Sequence, residues 1–249
     1  MAIADNLALH GGVGEPKQLS FAYSGSYEQY FETYNGKLYM ELMLLSSGIL
    51  LIPSGQTYTC DIWGLGGGGG TDGTAGGGSG HSAMLSSVAL SGNVDVVIGA
   101  GSETGVGGAT TITAANFSAA GGSPALGGNG GAGGSGGGAA GMAGGVNGAD
   151  GGGDQGGSGD GNIMSRFYDA NKNHNYATTT QAANQSGSLL ATGGGGYGCL
   201  PVLVRNAQNG QKLAGGGYGS GASQALTVGS LSSVSLCGQP GICFLRFEL

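Results

Sequence analysis

Charge is scarce in this chain. Only 8% of its 249 residues are Asp, Glu, Lys or Arg, and the formal net charge is −7. The seven cations (Lys17, Lys37, Arg166, Lys172, Arg205, Lys212 and Arg246) are scattered. Without a basic stripe the chain lacks the electrostatic footprint of nucleic-acid binding. So little charge also removes the usual signature of intrinsic disorder. Proline is scarce, at 5 residues, which excludes collagen, where glycine at every third position comes with abundant proline. The four cysteines, Cys60, Cys199, Cys237 and Cys243, contain no C-x-x-C pair, so zinc and redox motifs are missing. Cys60 and Cys243 fall inside apolar strand patterns and read as buried free thiols. No apolar run reaches the ~18 residues of a membrane span. The opening Met1-Ala-Ile-Ala-Asp5 has neither a positive n-region nor an apolar h-region, so no signal peptide is expected.

Glycine is present in excess, 61 residues in all. From 121 to 161 the chain reads GGSPALGGNGGAGGSGGGAAGMAGGVNGADGGGDQGGSGDG, with shorter tracts at 64–80, 193–198 and 215–221. Glycine destabilises helices and strands, and the long tract has a period of neither 3.6 nor 2. Two readings remain: a flexible linker, or a bundle of polyglycine II helices, extended and left-handed with about three residues per turn. Such helices have no internal hydrogen bonds, so their peptide groups must pair with neighbouring helices, which come close only where side chains are absent. The run GGN-GGA-GGS-GGG, with its three-residue period, favours the bundle. Extended, the tract would span about 125 Å, whereas a compact chain of this length is about 45 Å across. The slips of the period at Ala139-Ala140, Met142 and Val146-Asn147 are therefore expected turning points, giving three passes.

Strand signals surround the glycine. Asn35-Gly36 marks a hairpin. Leu38, Met40 and Leu42 alternate with Tyr39 and Glu41, as in a half-buried strand. Strands are also expected at 49–52, 57–63 (with Tyr58, Cys60 and Ile62 on one face), 80–90, 93–98, 109–117, 188–192, 200–205, 225–228 and 242–248. No amphipathic helix of credible length is visible. The expected fold is all-β, with antiparallel strands in a sandwich-like arrangement combined with a bundle of polyglycine II helices and little or no α-helix. Residues 1–47 read as an N-terminal arm and hairpin suited to docking. Residues 48–249 read as a glycine-rich domain with an inserted loop at 162–187.

Motifs that carry chemistry are weak. Gly64-Leu-Gly-Gly-Gly-Gly69 matches G-x-G-x-x-G after a strand, but a dinucleotide site needs a helix next, and TDGTAGGGSG cannot form one. His10, His81 and His174 lie far apart and assemble no triad. Asp150, Asp154 and Asp160 miss the calcium-loop spacings and read as solubilising groups. An enzyme such as a depolymerase would need clustered carboxylates, and these are scattered. No catalytic, cofactor-binding or metal-binding residue is therefore assigned. The insert 162–187 differs: Arg166, Phe167, Tyr168, Lys172, His174 and Tyr176 are the residue types of adaptable binding surfaces. Tyr197 and Tyr218, in echoing Gly-Gly-Tyr-Gly stretches, read as exposed anchors or as caps of the glycine helices.

Three stretches, Phe21-Ala-Tyr-Ser-Gly-Ser-Tyr27, Leu44-Leu-Ser-Ser-Gly-Ile-Leu50 and Tyr58-Thr-Cys-Asp-Ile-Trp-Gly-Leu-Gly-Gly-Gly-Gly-Gly70, follow each other in this order. A Gly238-Gln-Pro-Gly241 turn then precedes a last apolar strand. The pattern resembles the glycine-rich domain of bacteriophage tail and baseplate proteins, and the body resembles the tip adhesins of T-even-type tail fibres. That family's host-range loops are not matched residue by residue. The resemblance implies a non-enzymatic virion protein of the tail fibre or baseplate, made in the host cytoplasm, that presents loops to a saccharide or protein receptor on the host surface. The alternative it implies is an architectural decoration or cap without receptor contact. Expected partners are other tail or baseplate proteins and further copies of the chain, as in a trimer, with neither nucleic acid nor membrane insertion.

Overall fold

A computed structural model gives the structure of the protein and describes residues 19–34, 36–73, 75–134, 136, 218–222 and 237–249. The strands expected at 188–192, 200–205 and 225–228, the arm at 1–17 and the insert 162–187 lie outside these residues. The described part is mostly β-strand in two five-stranded antiparallel sheets, with no α-helix. One sheet has the order β1 (Ala22–Tyr23), β4 (Gly48–Leu51), β7 (Asn93–Val97), β8 (Thr110–Ile112), β9 (Phe117–Ala119). The other has β2 (Tyr27–Tyr34), β3 (Lys37–Leu44), β10 (Ile242–Glu248), β5 (Thr57–Leu65), β6 (Ser82–Ser91).

The alternation read from sequence sets the faces. Rows across β3, β10 and β5 place Leu42, Leu245 and Ile62 side by side, and likewise Met40, Phe247 and Cys60. All are buried against Leu50, Val94, Val96, Ile112 and Phe117 of the other sheet. Each such large side chain contributes about 2 kcal/mol by leaving water. β3 and β10 pair along their lengths, so strands on both sides of residue 47 share one core. The hairpin signal at Asn35-Gly36 joins β2 to β3, with Gly36 at φ +76, a conformation costly for other residues. The stretch 109–117 is not one strand. It breaks into β8, a 3₁₀ turn at Thr113–Ala115 and β9, because Asn116 takes a left-handed φ of 52 and reverses the chain.

Six strands run directly into glycine segments beyond one end of the sandwich. Residues 66–70 lead outward from β5, 76–81 return to β6, 98–102 lead out from β7 and 105–109 return to β8. Residues 120–125 lead out from β9, and 237–241 return to β10. The segment 66–70 is central. Gly66 and Gly69 donate their N–H groups to His81 O (3.1 Å) and Gly78 O (2.8 Å) of one neighbour. Gly67 and Gly70 donate to Gly108 O and Gly105 O of a second, both at 2.9 Å, and Gly68 donates to Gln239 O of a third at 2.9 Å. The donors thus repeat every three residues. In turn, the carbonyls of Gly67 and Gly70 accept from Gly122 and Ala125, that of Gly68 from Ser102, and that of Gly69 from Ala222. Six neighbours therefore surround the segment among the described residues. It donates to the three that run against it and accepts from the three that run with it.

Within the described residues the long tract reverses at Leu126–Asn129 and 130–134 then return; the turning points expected at Ala139-Ala140, Met142 and Val146-Asn147 lie outside these residues. Each of the six strand-linked segments makes a single short pass. Thr110 ties the bundle to the sandwich: its buried hydroxyl donates to Leu65 O (2.7 Å) and accepts from Gly99 N–H (2.9 Å).

A Cβ at Gly68 would lie 1.8 Å from Ser220 O, and backbone cannot yield there as a side chain would. Gly68→Ala is expected to lower the unfolding free energy by about 3 kcal/mol or more, and Gly36→Ala, in open space, by about 1 kcal/mol. Thr110→Val, which strands a carbonyl and an N–H, is expected to cost about 2 kcal/mol. Urea denaturation of the full chain measures all three.

Candidate functional site

The bundle has a sheet end and a far end. At the sheet end Trp63, Leu65, Ile242 and Phe244 form a buried cluster on the face of the second sheet that points away from the main core. Trp63 and Phe244 lie opposite each other in register, with ring centres 5.5 Å apart. The far end is a set of turns fixed by small polar side chains. The Thr71 hydroxyl donates to Ala75 O (2.6 Å) and accepts from Gly73 N–H (3.0 Å). The Asp72 carboxylate accepts from Ala75 N–H and Gly128 N–H, both at 2.8 Å, and so clamps two neighbouring turns together. The Ser102 hydroxyl accepts from Gly105 N–H at 2.8 Å. Beside these turns Val106 and Leu126 are 65% and 78% exposed. Glu103 accepts a thiol hydrogen bond from Cys237. The far end thus offers fixed backbone, two carboxylates and two exposed aliphatic groups.

Of the expected contact residues, Arg166, Phe167, Tyr168, Lys172, His174, Tyr176 and Tyr197 lie outside the described residues, as do Asp150, Asp154, Asp160 and His10. Tyr218 is half-buried against the Trp63 cluster, at the sheet end, where it opens the outgoing segment 218–222. His81 is bound through its backbone, donating N–H to Ala120 O (2.8 Å). In the G-x-G-x-x-G match, Gly66, Gly67, Gly68 and Gly69 all give their N–H groups to neighbouring carbonyls. A phosphate cradle needs those donors free, so the match is the centre of the bundle and not a nucleotide site. No group of His, Cys, Asp and Glu among the described residues is arranged to hold a metal ion. No described helix is long and apolar enough to cross a membrane.

Cys60 and Cys243 are buried, free and protonated at neutral pH. Burial pushes the Cys60 thiol up from an ordinary 9.0 to about 12, with Asp61 adding to the effect, and burial raises Cys243 further still. A thiol held protonated is a poor nucleophile.

The sequence reading passed over one polar row. Glu41, Arg246 and Asp61 lie side by side on β3, β10 and β5, on the outer face. Arg246 Nη2 meets Asp61 Oδ2 at 2.5 Å, and the guanidinium stacks over the Tyr39 ring at 4.9 Å. Asp61 also accepts from Ser87 N–H at 2.9 Å, where β6 bulges. The signal was available: Asp61 and Arg246 have the opposite parity to Cys60 and Phe247. Compared in sequence with protein-family models and with curated proteins, the chain matches none.

Removing Arg246 leaves carboxylates without their cation on a largely covered face. Arg246→Ala is expected to cost about 3 kcal/mol in chemical denaturation. The buried thiols predict an alkaline loss of stability. Above about pH 9 the unfolded chain releases protons that the folded chain keeps up to about pH 12 at Cys60. Stability is therefore full below pH 9 and falls as pH rises beyond it. Denaturation at stepped pH checks this, and Cys60→Ala should flatten the slope.

Proposed function

We propose that the chain is a non-enzymatic virion protein of a bacteriophage tail fibre or baseplate. In this reading the β-sandwich carries a bundle of polyglycine II helices, and the bundle is a stiff mount for loops that meet the host cell surface. The observation that carries the reading is the three-residue donor period of residues 66–70 among six neighbours. A left-handed three-fold backbone turns by a third of a revolution per residue, so its N–H groups address three directions in rotation. Stiffness serves attachment, because a mount that is already ordered lowers the entropy lost when its loops engage a receptor. The insert 162–187, with Arg166, Phe167, Tyr168, Lys172, His174 and Tyr176, carries the receptor contact in this reading. Tyr197 and Tyr218 cap or flank glycine segments. The partners are the neighbouring tail proteins and a receptor of saccharide or protein nature.

Two measurements test the proposal at separate levels. Amide exchange of the full chain should show residues 66–70 and Gly122, Ser123 and Ala125 protected by about a thousandfold or more, as for a stable core. Exchange at the rate of a denatured peptide would remove the bundle. Labelled protein applied to a panel of intact bacterial strains should bind at least one saturably, and a chain without residues 162–187 should not. Binding to no strain, together with unaltered incorporation of the deleted chain into phage particles, would favour the architectural cap.

A further inference from the structure

The two sheets have four edges among the described residues, and three of them are blunted. β1 has two residues and β9 has three. β6 is broken by a register shift opposite Cys60 and Ile62, with Ser87 at a left-handed φ of 56. A short edge or a bulge stops another strand from adding to a sheet. The fourth edge, β2, has none of these devices. Its eight residues, YEQYFETY, pair with β3 in unbroken register and contain no proline, lysine or bulge. Exposed along it are Tyr27 (40%), Tyr30 (40%) and Phe31 (61%). Phe31 lies in register with Met40, which is 3% exposed, so the core continues up to this edge and stops there uncovered.

We propose that β2 pairs antiparallel with β2 of a second copy of this chain, joining the two sheets into one across a two-fold axis at Phe31. The strand's own sequence suits a second copy and favours Phe31 over Tyr30 on the axis. A two-fold axis perpendicular to the sheet keeps both inner faces on one side, so each residue meets one of its own parity. With Tyr30 on the axis, Glu28 would stand against Glu32 of the second copy, and like charges directly opposite are unfavourable. With Phe31 on the axis, Phe31 meets Phe31, Gln29 meets Thr33 and Tyr30 meets Glu32. No acid then faces an acid, and the most exposed aromatic ring is covered by its equivalent. The Tyr30 hydroxyl, which already donates to Glu28 within one strand, lies on the outer face of the same contact. The contact is two-fold and makes pairs, unlike the trimer the family resemblance allows. It stands independently of the proposed function.

Sedimentation velocity of the full chain over a range of concentrations tests the pairing. A concentration-dependent dimer is expected. Phe31→Lys, which sets two cations on the axis, should weaken it by at least about tenfold. Because Phe31 is largely exposed, the circular dichroism of that variant should match the parent. Phe31→Cys should give an oxidised, disulfide-linked dimer above the background of the parent's own cysteines, while Tyr27→Cys, four residues off the axis, should not. A monomer at every concentration would overturn the proposal. So would an assembly indifferent to Phe31→Lys, or equal cross-linking of the two cysteine variants.

Discussion

A buried peptide group has to be hydrogen bonded, and around residues 66–70 the partners are other peptide groups. That constraint fixes the residue type. At Gly66, Gly67, Gly69 and Gly80 an added Cβ would stand about 2 Å from a neighbouring carbonyl oxygen or its carbon, well inside van der Waals contact. The bonds of 2.8–3.1 Å around residues 66–70 exist because nothing projects between the backbones. Other small residues enter only where the lattice leaves room. Ala100, Ser102, Ser123, Ala125, Ser220 and Ala222 each contribute backbone bonds to this network while keeping a Cβ.

Order of this kind does not come cheaply in entropy. Fixing a residue costs roughly 1–2 kcal/mol, with glycine at the upper end, and a peptide hydrogen bond returns about 1 kcal/mol net. A bundle alone would be near balance at best. The sandwich changes this by fixing the segment ends. β5, β7 and β9 launch outgoing segments and β6, β8 and β10 receive returning ones, so each of these six segments has one end at a strand already placed by a buried apolar core. The far-end reversals are short, at 71–75, 102–105 and 126–129, and short loops cost little to close. Thr110, bonded both to the end of β5 and to Gly99, holds the junction where strand pairing gives way to the three-residue pattern.

The strands were legible in the sequence because period-two alternation is a local signal. Tyr58, Cys60 and Ile62 share the core face as read, and the last strand runs over Ile242–Glu248 as expected. The glycine tracts announced close backbone approach but not its geometry. Without side chains there is no pattern to say which tract lies at the centre of the described segments; that place is taken by Gly66–Gly70. Direction and neighbourhood come from the strand order, a non-local property: β10 reaches its place between β3 and β5 from the other end of the chain. Strand 109–117 failed as a single element because Asn116 reverses it, and asparagine is one of the few non-glycine residues that tolerates that conformation. For the row Glu41–Arg246–Asp61 the sequence carried the parity of each member, but which of them face one another is set by register, a non-local property.

The arrangement separates stability from surface chemistry. Central positions admit no side chain, so their identity is set by packing alone. Turn positions carry side chains that the lattice does not use: Val106 and Leu126 point into solvent, and the turns they sit beside are held by Thr71, Asp72 and Ser102 through backbone contacts. A change at such a position alters the surface presented without disturbing the hydrogen bonds beneath it. An ordinary apolar core couples the two more tightly, because a core side chain packs by shape against neighbours whose own shapes are then constrained. Here the interior has no shapes to match, only distances between peptide groups. Variation at the exposed turn positions is thereby left free of the packing beneath them.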